Sequence, residues 1–248
     1  MTTTIDPLLH AVLANPKYDI VRLVYADALE EAGDGDRAEF IRVQITLANQ
    51  RNPKRRPPAS KENDRVQDRL EKRINVLWRG GINFIFQDEM CNLFEGSVAT
   101  VVDPRWRPQG RSVFLVERGF VSSVRCSLAA WRGEECEKCS GAGHYHDHFR
   151  TQCLDCHGTG RTPGHGPEIV ARHPVERVEF TDAVIHPSGG NDTYYVGGLG
   201  MWPREEWSRL ENHRSRSSAL SALSAAAIRW ARTEAVRWGL VPDVWSKT

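Results

Sequence analysis

The chain of 248 residues lacks any run of 18 apolar residues, which excludes a helix that spans a membrane. It also lacks a charge of one sign. A net charge of +1 gives the whole molecule no bias toward nucleic acid or lipid. The first residues, MTTTIDPLLHAVLANP, have neither a basic stretch nor a small-residue cleavage site, so they read as a helix start, and the expected compartment is the cytoplasm. Several catalytic patterns are missing too. There is no G-x-x-x-x-G-K-[ST], no G-x-G-x-x-G after a strand, no H-E-x-x-H and no G-x-S-x-G. The glycines at 197, 198 and 200 lack a strand–helix context and read as a loop. What is present is a globular composition, 40% hydrophobic, with six cysteines.

Disulfides are rare in a reducing compartment, so the cysteines need another explanation. Cys91 and Cys126 stand alone and read as small buried hydrophobes. The other four read Cys136-x-x-Cys139-x-Gly141-x-Gly143 and, with thirteen residues between Cys139 and Cys153, Cys153-x-x-Cys156-x-Gly158-x-Gly160. Two residues between thiols let one turn present both sulfurs to one ion, and two such turns complete a tetrahedron of thiolates. The glycines permit positive φ where the chain leaves each turn. The expectation is one structural Zn2+ held by Cys136, Cys139, Cys153 and Cys156, with no open position for chemistry. His144, His146 and His148 alternate between the two halves. They read as the tip of an exposed hairpin, with a second metal site as the alternative. Thirteen residues are too few for the ββα core of an HNH nuclease.

The doubled C-x-x-C-x-G-x-G resembles the cysteine-rich zinc domain of DnaJ-type co-chaperones over residues 134–162. That family carries four such repeats and two sites, where this chain carries two repeats and one site. It also requires a His-Pro-Asp tripeptide. Here His173-Pro174 is followed by Val175, so the resemblance implies the metal geometry and no co-chaperone activity.

Along the chain, residues 4–50 read as three short helices. The second has Ile20, Val24 and Ala28 on its inner face, Asp19 as its cap and Gly33 at its end. A basic, proline-rich linker (51–62) leads to a helix from about Glu62 to Trp78. The texture then turns to short β-type runs: INFIF, SVATVV, SVFLVERGFVSSVRC and VERVEF. The last helix runs from about Ser217 to Trp238, with PREEWSRL as a helix before it. Phe120-Val121-x-x-Val124-x-Cys126 and Pro174-Val175-x-x-Val178-x-Phe180 share an apolar spacing. With LAAW and PEIVARH between them, they suggest the strand–helix–strand plan of leucine-rich repeats.

Arg22-Leu-Val-Tyr-Ala-Asp27, followed by Arg37-Ala-Glu-Phe-Ile-Arg42-Val-Gln44, resembles the bacterial repeat-companion domain over residues 5–50, and Arg118-Gly-Phe120 resembles its join to the repeats. Ala28 stands where the commoner pattern has Trp. The resemblance implies a helical cap on a repeat-like scaffold and no known activity.

These readings give an α+β fold: an N-terminal helical cap on a small leucine-rich-repeat-like sheet, an inserted four-cysteine zinc knuckle and C-terminal helices. The expected segments are 1–80 (cap and basic linker), 81–133 with 164–200 (β-rich unit), 134–163 (knuckle) and 201–248 (terminal helices). The expected function is a non-enzymatic, zinc-stabilised interaction module or adaptor whose partner is another protein. The alternative is a nucleic-acid-associated accessory protein using the knuckle and segment 51–73, where nine Lys or Arg face four acids. A metal-dependent hydrolase is third. Trp202, Trp207, Trp230, Trp238 and Trp245 read as packing for the terminal helices, with base stacking as the alternative.

Overall fold

A computed structural model describes residues 5–52, 60–93, 98–101, 112–142, 144–145, 151–154, 156, 162, 164–187, 194–197, 208–211 and 213–241. The fold is α+β, with helices at both ends and a mixed four-stranded sheet between them. Two compact units divide the chain. The first comprises Met1–Val124, Ala171–Glu176 and Lys247–Thr248, the second Arg125–Val170 and Arg177–Ser246.

The first unit begins with helices α1 (Ile5–Ala14), α2 (Asp19–Glu31) and α3 (Gly35–Arg51). Asp34 caps α3 by accepting from the Arg37 N–H at 3.3 Å. Val12, Tyr25, Ala26, Leu29, Ala38, Ile41 and Ile45 form one core with Phe120. The inner face of α2 therefore carries Tyr25, Ala26 and Leu29 with Arg22. Ile20 and Val24 are 64% and 45% exposed, which corrects the expected face. Apolar residues surround this helix, so its rotation follows from the Phe120 ring, 5.6 Å from that of Tyr25. Nor does Asp19 cap it. The N-cap is Tyr18, without a side-chain bond, and Asp19 pairs with Arg118 at 3.2 Å.

Helix α4 (Lys61–Leu77), capped by Ser60, runs through a wide turn at Trp78–Ile82 into α5 (Asn83–Leu93). INFIF is thus helical, not a strand. Ile82, Phe86 and Met90, all buried, recur every four residues, a helical period that continues beyond the apolar run. The Trp78 ring lies between Phe40 and Phe86, with centroids 5.8 and 6.0 Å away.

Strand β1 (Val98–Val101) pairs in parallel with β2 (Ser112–Glu117), with Val98 opposite Ser112. The Arg118-Gly119 turn joins β2 to β3 (Phe120–Cys126), and β4 (Arg177–Phe180) completes the order β1-β2-β3-β4. Glu176 N–H donates to Ser122 O and Thr181 N–H to Cys126 O, so β3 and β4 run in the same direction.

In the second unit α6 (Leu128–Arg132) follows β3 and α7 (Gly166–Arg172) precedes β4, with the cysteines between these helices. Strands β5 (Ile185–Pro187) and β6 (Tyr194–Val196) form an antiparallel pair. The long helix α8 (Arg216–Arg237), capped by Ser215, buries Leu223, Ala227, Ala231 and Ala235, and its Ser224 hydroxyl accepts from the Val178 N–H of β4 at 2.8 Å. Of PREEWSRL only residues 208–210 are described, as helix; Trp202, Trp207 and Trp245 lie outside the described residues.

Candidate metal centre

The first half of the cysteine module is built by a tight turn. Ser140 and Gly141 both take positive φ, 46° and 77°. That reversal lets Gly141 N–H reach Cys136 O at 3.3 Å and Ala142 N–H reach Cys139 O at 2.9 Å. Beyond this turn, His144 bridges Gln152 in antiparallel fashion and Tyr145 N–H donates to Thr151 O at 2.8 Å. Tyr145 packs against the four cysteines, and its hydroxyl accepts from the Leu154 N–H at 3.4 Å.

The four expected ligands are brought together. Cys136, Cys139, Cys153 and Cys156 are at most 2% exposed, and their sulfurs all lie within 4.8 Å of one another. The pairs that face each other across the halves are 3.8 Å (Cys136–Cys153) and 3.7 Å (Cys139–Cys156) apart. A tetrahedron with metal–sulfur bonds of about 2.3 Å has an edge of about 3.8 Å, so the donor set fits a tetrahedral metal. A disulfide would need sulfurs at about 2.05 Å, and none of the four cysteines forms one. Four thiolates around one ion close its coordination shell, which suits holding the chain rather than activating a water. His146 and His148 lie outside the described residues, while His144 is half-buried beside the site.

The module is joined to its unit by a stem that carries no sequence signature. Thr162 N–H donates to Glu134 O at 2.9 Å, and Glu134 N–H donates to the Thr162 hydroxyl at 3.0 Å. Gly133, at φ 83°, lies so close that a Cβ there would overlap the Thr162 carbonyl. His165 N–H donates to Ala130 O at 3.0 Å.

Other charged groups of interest have structural surroundings. The Arg22 guanidinium is buried 6.0 Å from the Phe120 ring centre. Burial and the charge of Arg118 push its pKa down, against the upward pull of Asp19 and Glu176. Arg42 joins α3 to α2 by bonds of 2.6 Å to both Asp27 and Glu30. Signature residues 22–44 thus pack helices and a hairpin together. Sequence reasoning missed His173, fully buried between Phe86 and Phe120, whose Nε2 lies 3.4 Å from Glu89. The only signal for it was a lone histidine before a proline. Cys126 is buried beside Asp182, and burial first, then that charge, pushes its thiol pKa far up, which leaves it inert.

In segment 51–73, Arg51 pairs with Glu71 at 2.8 Å and Arg73 with Glu39 at 2.6 Å. Arg65 and Arg69 stand 3.8 Å from Glu62. Lys54, Arg55 and Arg56 lie outside the described residues. No helix among the described residues is long and apolar enough to cross a membrane. Compared with protein-family models, curated proteins and solved structures, the chain matches none.

Proposed function

We propose that the chain binds one structural zinc ion through Cys136, Cys139, Cys153 and Cys156, and that the knuckle so formed is a non-enzymatic module through which the protein engages another protein. The observation that carries this reading is the closed set of four buried sulfurs with the edges of a tetrahedron. A tetrahedral set of four thiolates suits zinc, with iron the other metal that such a set takes. A closed shell leaves no site for substrate or hydroxide, which favours an interaction role over hydrolysis.

Charge favours protein over nucleic acid as the partner. Within 134–162, Glu134, Glu135, Glu137, Asp147 and Asp155 outnumber Lys138, Arg150 and Arg161. A divalent ion with four thiolates adds about −2 more, so the knuckle repels phosphates. The parallel strands β3 and β4, joined through helices, support the reading of the N-terminal helices as a cap on a repeat-like scaffold, in keeping with the repeat-companion resemblance.

The test joins metal analysis of the purified chain to capture of partners with and without nuclease. One zinc per chain and a protein partner retained after nuclease are expected. Zinc absent from the chain overturns the metal assignment, and capture lost on nuclease treatment puts nucleic acid first. Hydrolytic turnover that disappears with His146→Ala or His148→Ala puts a hydrolase first.

A further inference from the structure

The stem of the knuckle and the packing of the second unit share residues. Trp131 is fully buried at the end of α6; its indole N–H donates to Ala227 O of α8 at 3.2 Å. The same ring lies flat against Gly166 at the start of α7, where a Cβ would come within 2.7 Å of it. The next residue, Arg132, lies 4.8 Å from the Trp230 ring centre of α8. Gly133 and Gly164 then touch backbone to backbone, and Glu134 pairs with Thr162. Stem closure and the seating of the Trp131 ring of α6 against α7 and α8 are therefore one geometric event.

We propose that metal occupancy of the knuckle latches this stem, so that the tightness of the α6–α8 contact reports whether the ion is bound. This rests on the zinc reading above. The magnitude follows from chain length. Thirty residues, 134–163, separate Gly133 from Gly164. With the ion tying Cys136 to Cys156, only nine residues, 134, 135 and 157–163, separate the tied cysteines from the two stem glycines. Loop closure scales with the three-halves power of length, so metal removal disfavours stem closure about sixfold. Linkage is reciprocal, so forcing the stem open weakens the metal by up to about sixfold. A three-residue Gly-Ser link in place of 134–163 closes the stem without any metal, about thirtyfold better than the metal-free chain.

Hydrogen exchange of the full chain, with zinc and after chelation, tests the latch. Exchange at the Thr162 and His165 amides and at the Trp131 indole is expected to rise about sixfold on chelation, while amides inside α8 hold. In the linked protein the His165 amide and the Trp131 indole are expected to stay protected whether or not chelator is present. Gly164→Ala, whose methyl would strike Gly133, is expected to lower zinc affinity by up to about sixfold in a competition titration. Zinc absent from the purified chain would defeat the metal reading. Zinc present, with exchange unchanged on its removal, would overturn the latch alone. So would loss of protection throughout the second unit, an open or unfolded linked protein, or a folded Gly164→Ala chain with unaltered affinity.

Discussion

Gln44 holds the turn at Gly119 from inside the first unit: its Oε1 accepts from the Gly119 N–H at 2.6 Å, while its Nε2 donates to Val116 O at 3.1 Å. One buried amide thus satisfies a donor and an acceptor of the β2–β3 hairpin and fastens it to α3. The turn can lie this close because Gly119 has φ 82° and no side chain; a Cβ would overlap Cγ1 of buried Ile41. Gly119→Ala combines a left-handed backbone with a clash in the core, and about 2–4 kcal/mol of destabilisation is expected. Gln44→Leu strands two buried backbone groups and is expected to cost about 1–3 kcal/mol. Urea unfolding of each variant checks both values. Losses below about 0.5 kcal/mol would show that the hairpin is held by other contacts.

Cys136→Ser and Cys156→Ser remove one ligand each from opposite halves of the metal centre. Both variants are expected to be purified without zinc and with a protease-sensitive knuckle, because a structural site contributes on the order of 10 kcal/mol of coupled binding and folding. Elemental analysis and limited proteolysis check this. A disulfide among the four cysteines in the freshly purified native chain would contradict it.

Glu89 makes stability depend on pH. Burial works against its charge, but the hydrogen bond and charge of His173, with Arg172 and Arg37, outweigh burial and bring its pKa from 4.5 down to about 2. A carboxylate whose pKa is lowered on folding stabilises the fold above its unfolded pKa and loses that contribution as acid approaches the folded pKa. That contribution is therefore expected to be present above pH 4.5 and lost toward pH 2. Glu89→Gln is expected to be less stable than the native chain at pH 6 and to converge with it near pH 2. The difference between the two proteins is the measurement, since acid loss of metal affects both. Parallel stability curves would remove Glu89 from this role.

The cysteine module was legible because metal geometry fixes spacing within a short stretch of chain, and C-x-x-C-x-G-x-G records that constraint directly. Helices α4 and α8 were legible from their period, with boundaries close to those found. INFIF misled because five residues cannot separate periods; Met90 had to be included before the spacing of four became visible. The face of α2 was hidden for another reason. Its outward apolar residues look like its inward ones, and the choice is made by Phe120, far along the chain. The stem and the Glu89–His173 pair also depend on distant partners: Glu134 and Thr162 are ordinary residues until the cysteines bring the two arms together.

Nucleic-acid binding is expected to be weak, and the reason lies in how segment 51–73 spends its charge. Affinity for a phosphate backbone comes from cations free to displace counterions, and it falls steeply with salt. Arg73 is held by two bonds of 2.6 Å to Glu39, which lower the pKa of that carboxylate despite the opposing effect of burial. Arg51 is tied to Glu71. Arg65 and Arg69 pair more loosely with Glu62 and remain about three-quarters exposed, so of these four they are the best placed to meet a phosphate. Two loosely paired arginines, with Lys61 and Lys72, on a helix that also carries Glu62, Asp64, Asp68 and Glu71 do not form a basic stripe, and the negative knuckle adds none. The expected dissociation constant is no tighter than about 10⁻⁶ M at physiological salt. Titration against single- and double-stranded DNA and RNA across a salt series measures it. Sub-micromolar binding at about 150 mM salt, abolished by Arg55→Ala together with Arg56→Ala, would place the nucleic-acid role ahead of the protein-interaction role.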